Sequence, residues 1–195
     1  ELPTWPLGSG WLEAMIQMSK ISLRKSFKKL RENLSNNEVK NLSALVNTNL
    51  INQNEYKEAS NIGYYYPINN EVFINTVKGK KYSYPKINGN KLNFFNDSIK
   101  FSVNQYGIKE PANSQQVQLD ELDICLVPLI AFNDKLFRIG YGGGFYDQTF
   151  SCISKSKKKP ILIGLGYDFL KSEINFQTQE DVRLDKIITE KGIYV

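Results

Sequence analysis

With 195 residues, 41% of them hydrophobic and 23% charged, the chain has the size and composition of one globular domain, not of a disordered segment. No apolar run reaches the ~20 residues that span a bilayer, and the absence of histidine excludes Ser-His-Asp and Cys-His catalysis. A net charge of +5 suits an anionic ligand, but the lysines are dispersed apart from Lys157-Lys158-Lys159, so neither a nucleic-acid nor a membrane partner is expected.

Residues 1–17, with Pro3, Pro6, Gly8 and Gly10, differ in composition from the rest of the chain and lack the pattern of a signal peptide. They read as an upstream extension or expression remnant, with a start at Met15 or Met18 and a single domain over 18–195. From Ser19 a helix is expected, capped by Ser19 or Ser22, with Leu23, Phe27, Leu30 and Leu34 in one apolar stripe. Lys20, Arg24, Lys28 and Arg31 fall away from that stripe, as a solvated basic face or, for Lys20 and Arg24, as a grip on an anion. A second helix is expected from Asn37 to Asn49, capped by Asn36. Asn61 to Pro67 reads as a strand ended by proline, and Val72-Phe73-Ile74, after Glu71, as the start of a helix. Consecutive tyrosines usually pack strands, yet Tyr66 and Glu71 at a strand end also suit a flat heteroaromatic ligand. Lys80 to Lys86 and Leu92 to Phe95 are further strands, and Tyr106 to Pro111 is a turn-rich connection.

The apolar run Leu122 to Phe132 reads as a buried strand, with Cys125 a small hydrophobe inside it. Cys152 lies far along the chain, so no disulfide framework is expected and a reducing cytoplasm is favoured. Next comes Arg138-Ile139-Gly140-Tyr141-Gly142-Gly143-Gly144-Phe145-Tyr146-Asp147, with four glycines in five positions. Glycine tolerates positive φ and lets backbone N–H groups converge on an anion. Strand, glycine turn and a helix starting at Phe145 form a plausible phosphate cradle. Arg138 could neutralise charge there and Asp147 could hold a hard cation. The spacing fits neither G-x-G-x-x-G nor the Walker pattern, so a turn doing only backbone work stays open. Ile161 to Leu165 is another buried strand, and the loop Glu180 to Asp185 leads into Lys186 to Thr189. Apolar strands alternating with helical stretches indicate an α/β fold, a three-layer Rossmann-like sheet flanked by helices in a single domain. Ligands in such folds sit at the carboxyl ends of the strands.

In their order, these segments resemble the 5-formyltetrahydrofolate cyclo-ligase (methenyltetrahydrofolate synthetase) family from Lys20 to Gly192. Lys20-Ile21-Ser22-Leu23-Arg24 is similar to its amino-terminal K-x-x-L-R segment, and Tyr66 and Glu71 to its strand-end substrate region. Tyr106-Gly107-Ile108-Lys109-Glu110-Pro111 resembles its G-I-x-E-P turn. Asp123 to Pro128 together with Arg138 to Asp147 is the most specific match, and Asp181 to Asp185 with Ile188-Thr189-Glu190 completes the order. The resemblance implies an ATP- and magnesium-dependent cyclisation of 5-formyltetrahydrofolate to 5,10-methenyltetrahydrofolate by a cytoplasmic monomer. It places Lys20, Arg24 and the loop Arg138, Gly140, Tyr141, Gly142, Gly143, Gly144, Phe145 and Tyr146 at ATP. Arg138 and Asp147 would be catalytic, and Asp147 and Asp181 would hold magnesium. Tyr66, Glu71 and Phe145 or Tyr146 would bind the folate, with Lys86 a further candidate. Two positions depart from the family pattern: Glu180 stands where many members carry histidine, and Phe145 where tyrosine is commoner. A non-catalytic folate or nucleotide binder and a basic RNA-binding module are the alternatives.

Overall fold

A computed structural model of the chain describes residues 9–98, 100–151 and 158–195, with side chains from residue 19 onward. Cys152 and Lys157 lie outside the described residues. The first helix, α1, runs Ser9–Glu32, so Ser19 and Ser22 sit within it and cap nothing. Its buried face is also one position round from the expected stripe: Leu30 is 50% exposed and Arg31 only 1%. Part of the surface beneath α1 offers backbone carbonyls, which a guanidinium satisfies and a leucine does not. The next helix, α2 (Asn36–Ile51), is capped one residue earlier than expected. There Ser35 and Glu38 form a capping box, each side chain taking the other's backbone N–H. A short α3 (Asn54–Glu58) then leads into β1 (Asn61–Gly63).

No helix forms at Val72-Phe73-Ile74, and the segment runs without helix or strand to Val77. Tyrosine hydroxyls claim its backbone instead. Tyr65 donates to the Val72 carbonyl (2.7 Å), and the Ile74 and Val77 amides donate to Tyr64 (2.9 Å) and Tyr82 (3.0 Å). These long-range bonds override the weak helix preference of the β-branched residues Val72 and Ile74. The strand expected over Asn61 to Pro67 thus ends at Gly63, and Tyr64 and Tyr65 beyond it are buried and bonded to the following loop.

Beyond it lies a hairpin of β2 (Lys81–Asn88) and β3 (Lys91–Asn96), then a two-stranded ribbon of β4 (Phe101–Val103) and β5 (Lys109–Pro111). Part of the expected Tyr106–Pro111 turn is thus strand. After β6 (Gln116–Val117), the apolar run divides into β7 (Ile124–Pro128) and β8 (Ala131–Phe132). The latter pairs with β9 (Arg138–Ile139) in a second ribbon that sets the start of the glycine loop. The chain continues through α4 (Phe145–Phe150), β10 (Ile161–Leu165), β11 (Lys186–Ile188) and β12 (Ile193–Tyr194).

The main sheet has eight strands in the order β12-β11-β10-β7-β1-β2-β3-β6. Its centre, β11-β10-β7-β1-β2, is parallel, and the strands beyond it on both sides are antiparallel. The sheet is mixed and flanked by helices. Helices do not alternate with strands as expected: among the described residues, the β7-to-β10 crossover alone within the parallel block carries an α-helix. Strands β7 and β10 are buried along almost their whole length, which is why both read as continuous apolar runs.

Gly164, in β10, lies where a Cβ would meet Leu184 at 2.7 Å, Ile187 at 3.1 Å and Leu129 at 3.2 Å. All three neighbours are buried, so they cannot move aside freely. Gly164→Ala is expected to destabilise the fold by about 1–3 kcal/mol through overpacking. Urea unfolding would show this as a lower midpoint at unchanged slope.

Candidate active site

The parallel strands, taken in chain order, lie in the spatial order 2-1-3-4-5, and the direction of winding changes between β1 and β7. Loops leaving these two strands diverge and open a crevice, the usual ligand position in such sheets. A cavity of about 1320 Å³ occupies this place, bordered by Tyr66 and Glu71 after β1, Pro128 at the end of β7, the glycine loop, α1 and Thr178 to Asp181. It exceeds the ~300–1,000 Å³ of an ordinary small-molecule site, which suits two ligands side by side.

One end is cationic and lined by exposed backbone. Gly142 and Gly143 are exposed, and Gly142 (φ 103°) and Gly144 (φ 66°) adopt backbone that L-residues rarely enter. Arg24 donates from Nε to the Gly140 carbonyl (2.7 Å), fixing the loop against α1. Its guanidinium covers Gly142, where a Cβ would stand 3.5 Å from Arg24 Cζ. Lys20 is ion-paired with Asp181, whose Oδ2 also accepts from the Thr178 amide (2.6 Å) and hydroxyl (3.1 Å). Arg138 forms a two-pronged pair with Asp147 (3.0 and 3.2 Å) and lies over the Tyr146 ring at 5.5 Å. Asp147 Oδ1 further accepts from the Val182 amide at 3.0 Å, which brings the two aspartates into one neighbourhood. Among the described residues, Arg138 Nε is buried without a hydrogen-bond partner. Gly142→Ala is expected to raise the KM for a polyphosphate ligand by about ten-fold or more, because alanine at this φ is strained by ~1–3 kcal/mol. Steady-state kinetics with that ligand varied would check it.

Another part of the lining is aromatic. Tyr66 stacks on Tyr84 (ring centroids 4.2 Å apart) and meets Phe101 edge-on at 5.5 Å, while its hydroxyl is buried and unpartnered. Phe145 packs under Gly143 and edge-on against Tyr106 at 6.0 Å, joining the glycine loop to the β4–β5 ribbon. Glu71 is buried, and burial pushes its carboxyl up to about 7 against the opposing pull of Arg31. Burial likewise raises the Tyr146 phenol well above its ordinary range.

The structure therefore gathers Lys20, Arg24, Tyr66, Glu71, Arg138, Gly140 to Asp147 and Asp181 around one cavity. Lys86 does not border it, since Pro85 and Ile87 on either side do and alternation along β2 directs Lys86 away. Two charged residues had no role assigned from sequence. Arg31 shares a helical face with Lys20, Arg24 and Lys28, which was the available signal. Glu110, in the G-I-x-E-P turn, is a buried carboxylate on the cavity wall that accepts from the Ile87 amide (3.0 Å) and Asn104 Nδ2 (2.9 Å).

Fold and site together define a mixed-sheet α/β protein in which a glycine loop flanked by cationic side chains adjoins an aromatic chamber. The sequence profile of the 5-formyltetrahydrofolate cyclo-ligase family matches residues 16–190, and the chain belongs to that family. It is similar to the 5-formyltetrahydrofolate cyclo-ligase of Mycoplasma genitalium, 32% identical over 177 residues covering 88% of this chain and 98% of that protein. The Haemophilus influenzae cyclo-ligase is 31% identical, covering 85% and 95% of the two chains. Among solved structures, the Aquifex aeolicus 5,10-methenyltetrahydrofolate synthetase superposes with a TM-score of 0.77 at 30% identity, covering 89% of this chain and 91% of that one.

Proposed function

We propose that the chain cyclises 5-formyltetrahydrofolate to 5,10-methenyltetrahydrofolate at the expense of ATP, acting as a monomer in the cytoplasm. The observation that carries this reading is the single cavity uniting a cationic, glycine-lined end with an aromatic, carboxylate-bearing end. Lys20, Arg24, Arg138 and the loop Gly140 to Tyr146 take the ATP phosphates. Tyr66, Glu71 and the ring of Phe145 or Tyr146 take the folate. The order 2-1-3-4-5 of the parallel block supports a Rossmann-like ancestry for the nucleotide end.

The site asks for no protein nucleophile. A formamide oxygen is a poor leaving group, so the γ-phosphoryl passes to it and ADP departs. The neighbouring folate nitrogen then attacks the formyl carbon and gives up its proton to solvent, and the C–O bond breaks to release phosphate. Arg138, on the cavity wall, neutralises charge on the moving phosphoryl group. Arg24 and the glycine loop hold the polyphosphate in line with the formyl oxygen.

Asp147 and Asp181 are all-oxygen donors, and hard carboxylates fit a magnesium ion that takes the rest of its shell from phosphate and water. Among the described residues no cluster of three or more metal-ligating side chains forms. Bound there, magnesium would offset polyphosphate charge, and Lys20 would exchange Asp181 for phosphate.

The test is the near-ultraviolet absorbance of the methenyl product, monitored on mixing protein, magnesium and 5-formyltetrahydrofolate with and without ATP. An ATP-dependent rise is expected. A folded protein that binds folate by calorimetry without any absorbance rise would instead be a binder.

A further inference from the structure

Arg31 stands behind the cavity wall on the α1 face it shares with Lys20 and Arg24. Its guanidinium reaches three separate segments. Nε donates to the Asn69 carbonyl (2.9 Å) in the loop after β1, and Nη1 to the Leu129 carbonyl (2.8 Å) just past β7. Nη2 donates to the Tyr141 hydroxyl (2.5 Å) of the glycine loop, and Nη1 faces Glu71 Oε1 at 3.7 Å. The loop it grips turns through two consecutive residues in the left-handed region, Asn69 (φ 48°) and Asn70 (φ 61°), which asparagine enters more readily than most. Asn70 Nδ2 returns the contact by donating to the carbonyls of Arg31 (3.1 Å) and Leu34 (2.9 Å). One side chain thus ties α1 to the loops of both strands at the winding reversal and to the glycine loop.

Building on the ATP and folate reading above, we propose that Arg31 is a positioning residue that holds Glu71, on the folate side, and Tyr141, on the nucleotide side, in one arrangement. A planar fork is required, because three acceptors lie in three directions and an ammonium cannot meet them in the same geometry. An apolar side chain could fill the volume without the cost of burying a cation. The charge is the part that acts on Glu71.

Several groups face that carboxylate. Arg31 approaches from α1, and Tyr141, from the glycine loop, donates to it. The Ile68 amide donates at 3.0 Å. The phenols of Tyr64 and Tyr65 after β1, Tyr146 in α4 and Tyr167 after β10 complete the surroundings. Arg31 is the strongest of the influences that favour the ionised form. Ionised Glu71 accepts hydrogen bonds from N–H donors of a reduced pterin. Folate affinity is therefore expected to fall as pH drops through about 7, where the carboxyl takes up a proton.

The experiment compares wild-type protein with Arg31→Lys and Arg31→Met. It measures KM for ATP and for 5-formyltetrahydrofolate, folate Kd against pH, and thermal unfolding. Arg31→Lys should raise both KM values by about ten-fold, since the fork is lost, with the acid limb of folate binding in place. Arg31→Met should raise both and move that limb upward by about one pH unit or more, since the favourable charge is gone. Should Arg31→Met not fold, Tyr141→Phe removes the hydroxyl that accepts from Arg31 and donates to Glu71. It is expected to raise both KM values severalfold and to shift the limb in the same direction. Unchanged KM values, or weaker binding with the limb unmoved in Arg31→Met and Tyr141→Phe, would reduce Arg31 to a structural residue and overturn the assignment alone. Wild-type protein that binds neither ligand would overturn the cyclo-ligase reading and this assignment together.

Discussion

Arg138→Met is expected to lose ring closure by about 10³-fold or more in kcat, the scale on which an arginine stabilises phosphoryl transfer. Arg138 is 6% exposed, and its two terminal nitrogens are occupied by Asp147. The pair holds the guanidinium in a fixed orientation before substrate arrives, so little reorganisation remains for the reaction itself. Methionine keeps the length and removes both the charge and the donors. Folate affinity should change little, because Tyr66 and Glu71 lie in the aromatic half of the cavity. Arg138→Lys restores the charge without the fork and should recover only part of the rate. Single-turnover absorbance of the methenyl product, alongside a thermal melt, separates lost chemistry from lost folding. Turnover within threefold of wild type in Arg138→Met would remove this residue from the phosphoryl path.

Asp147→Ala should lower turnover by a comparable factor, for two reasons that a titration can separate. It removes one proposed magnesium ligand, so the activity that remains should no longer rise with added magnesium. It also frees Arg138 from its carboxylate partner and leaves the Val182 amide without its acceptor. With the Asp147 side chain 24% exposed, the loss of stability should be about 1–2 kcal/mol, below that of a fully buried pair. Because the residues act as a unit, the double variant with Arg138→Met should be scarcely worse than either single change. A retained magnesium response in Asp147→Ala would assign the ion to other ligands.

The sequence showed the cationic, glycine-rich half more clearly than the packing around it. A glycine cluster between an arginine and an aspartate has a local physical meaning, and the structure places Arg138 in β9 and starts α4 at Phe145 as that pattern indicates. Strand β10 is likewise readable from composition, since five consecutive residues without a charge suit only a buried position. The helix expected at Val72-Phe73-Ile74 is absent because hydroxyls of Tyr64, Tyr65 and Tyr82 set the conformation there, and no local pattern announces such bonds. Arg31 escapes a reading of the sequence for a related reason. Helical periodicity separates apolar from polar faces, but it does not distinguish a polar face in water from one facing carbonyls at the ends of β1 and β7. The aromatic half was only partly legible: Tyr66 and Glu71 stood out, whereas Glu110 reaches the cavity through a ribbon whose placement depends on distant strands.

The rims of the main sheet are Gln116–Val117 and Ile193–Tyr194, each two residues long. A stray chain laying itself alongside either rim would find a template of two rungs, too brief for a growing stack to take hold. The most apolar strands, β7 and β10, lie well inside these rims and offer no edge of their own.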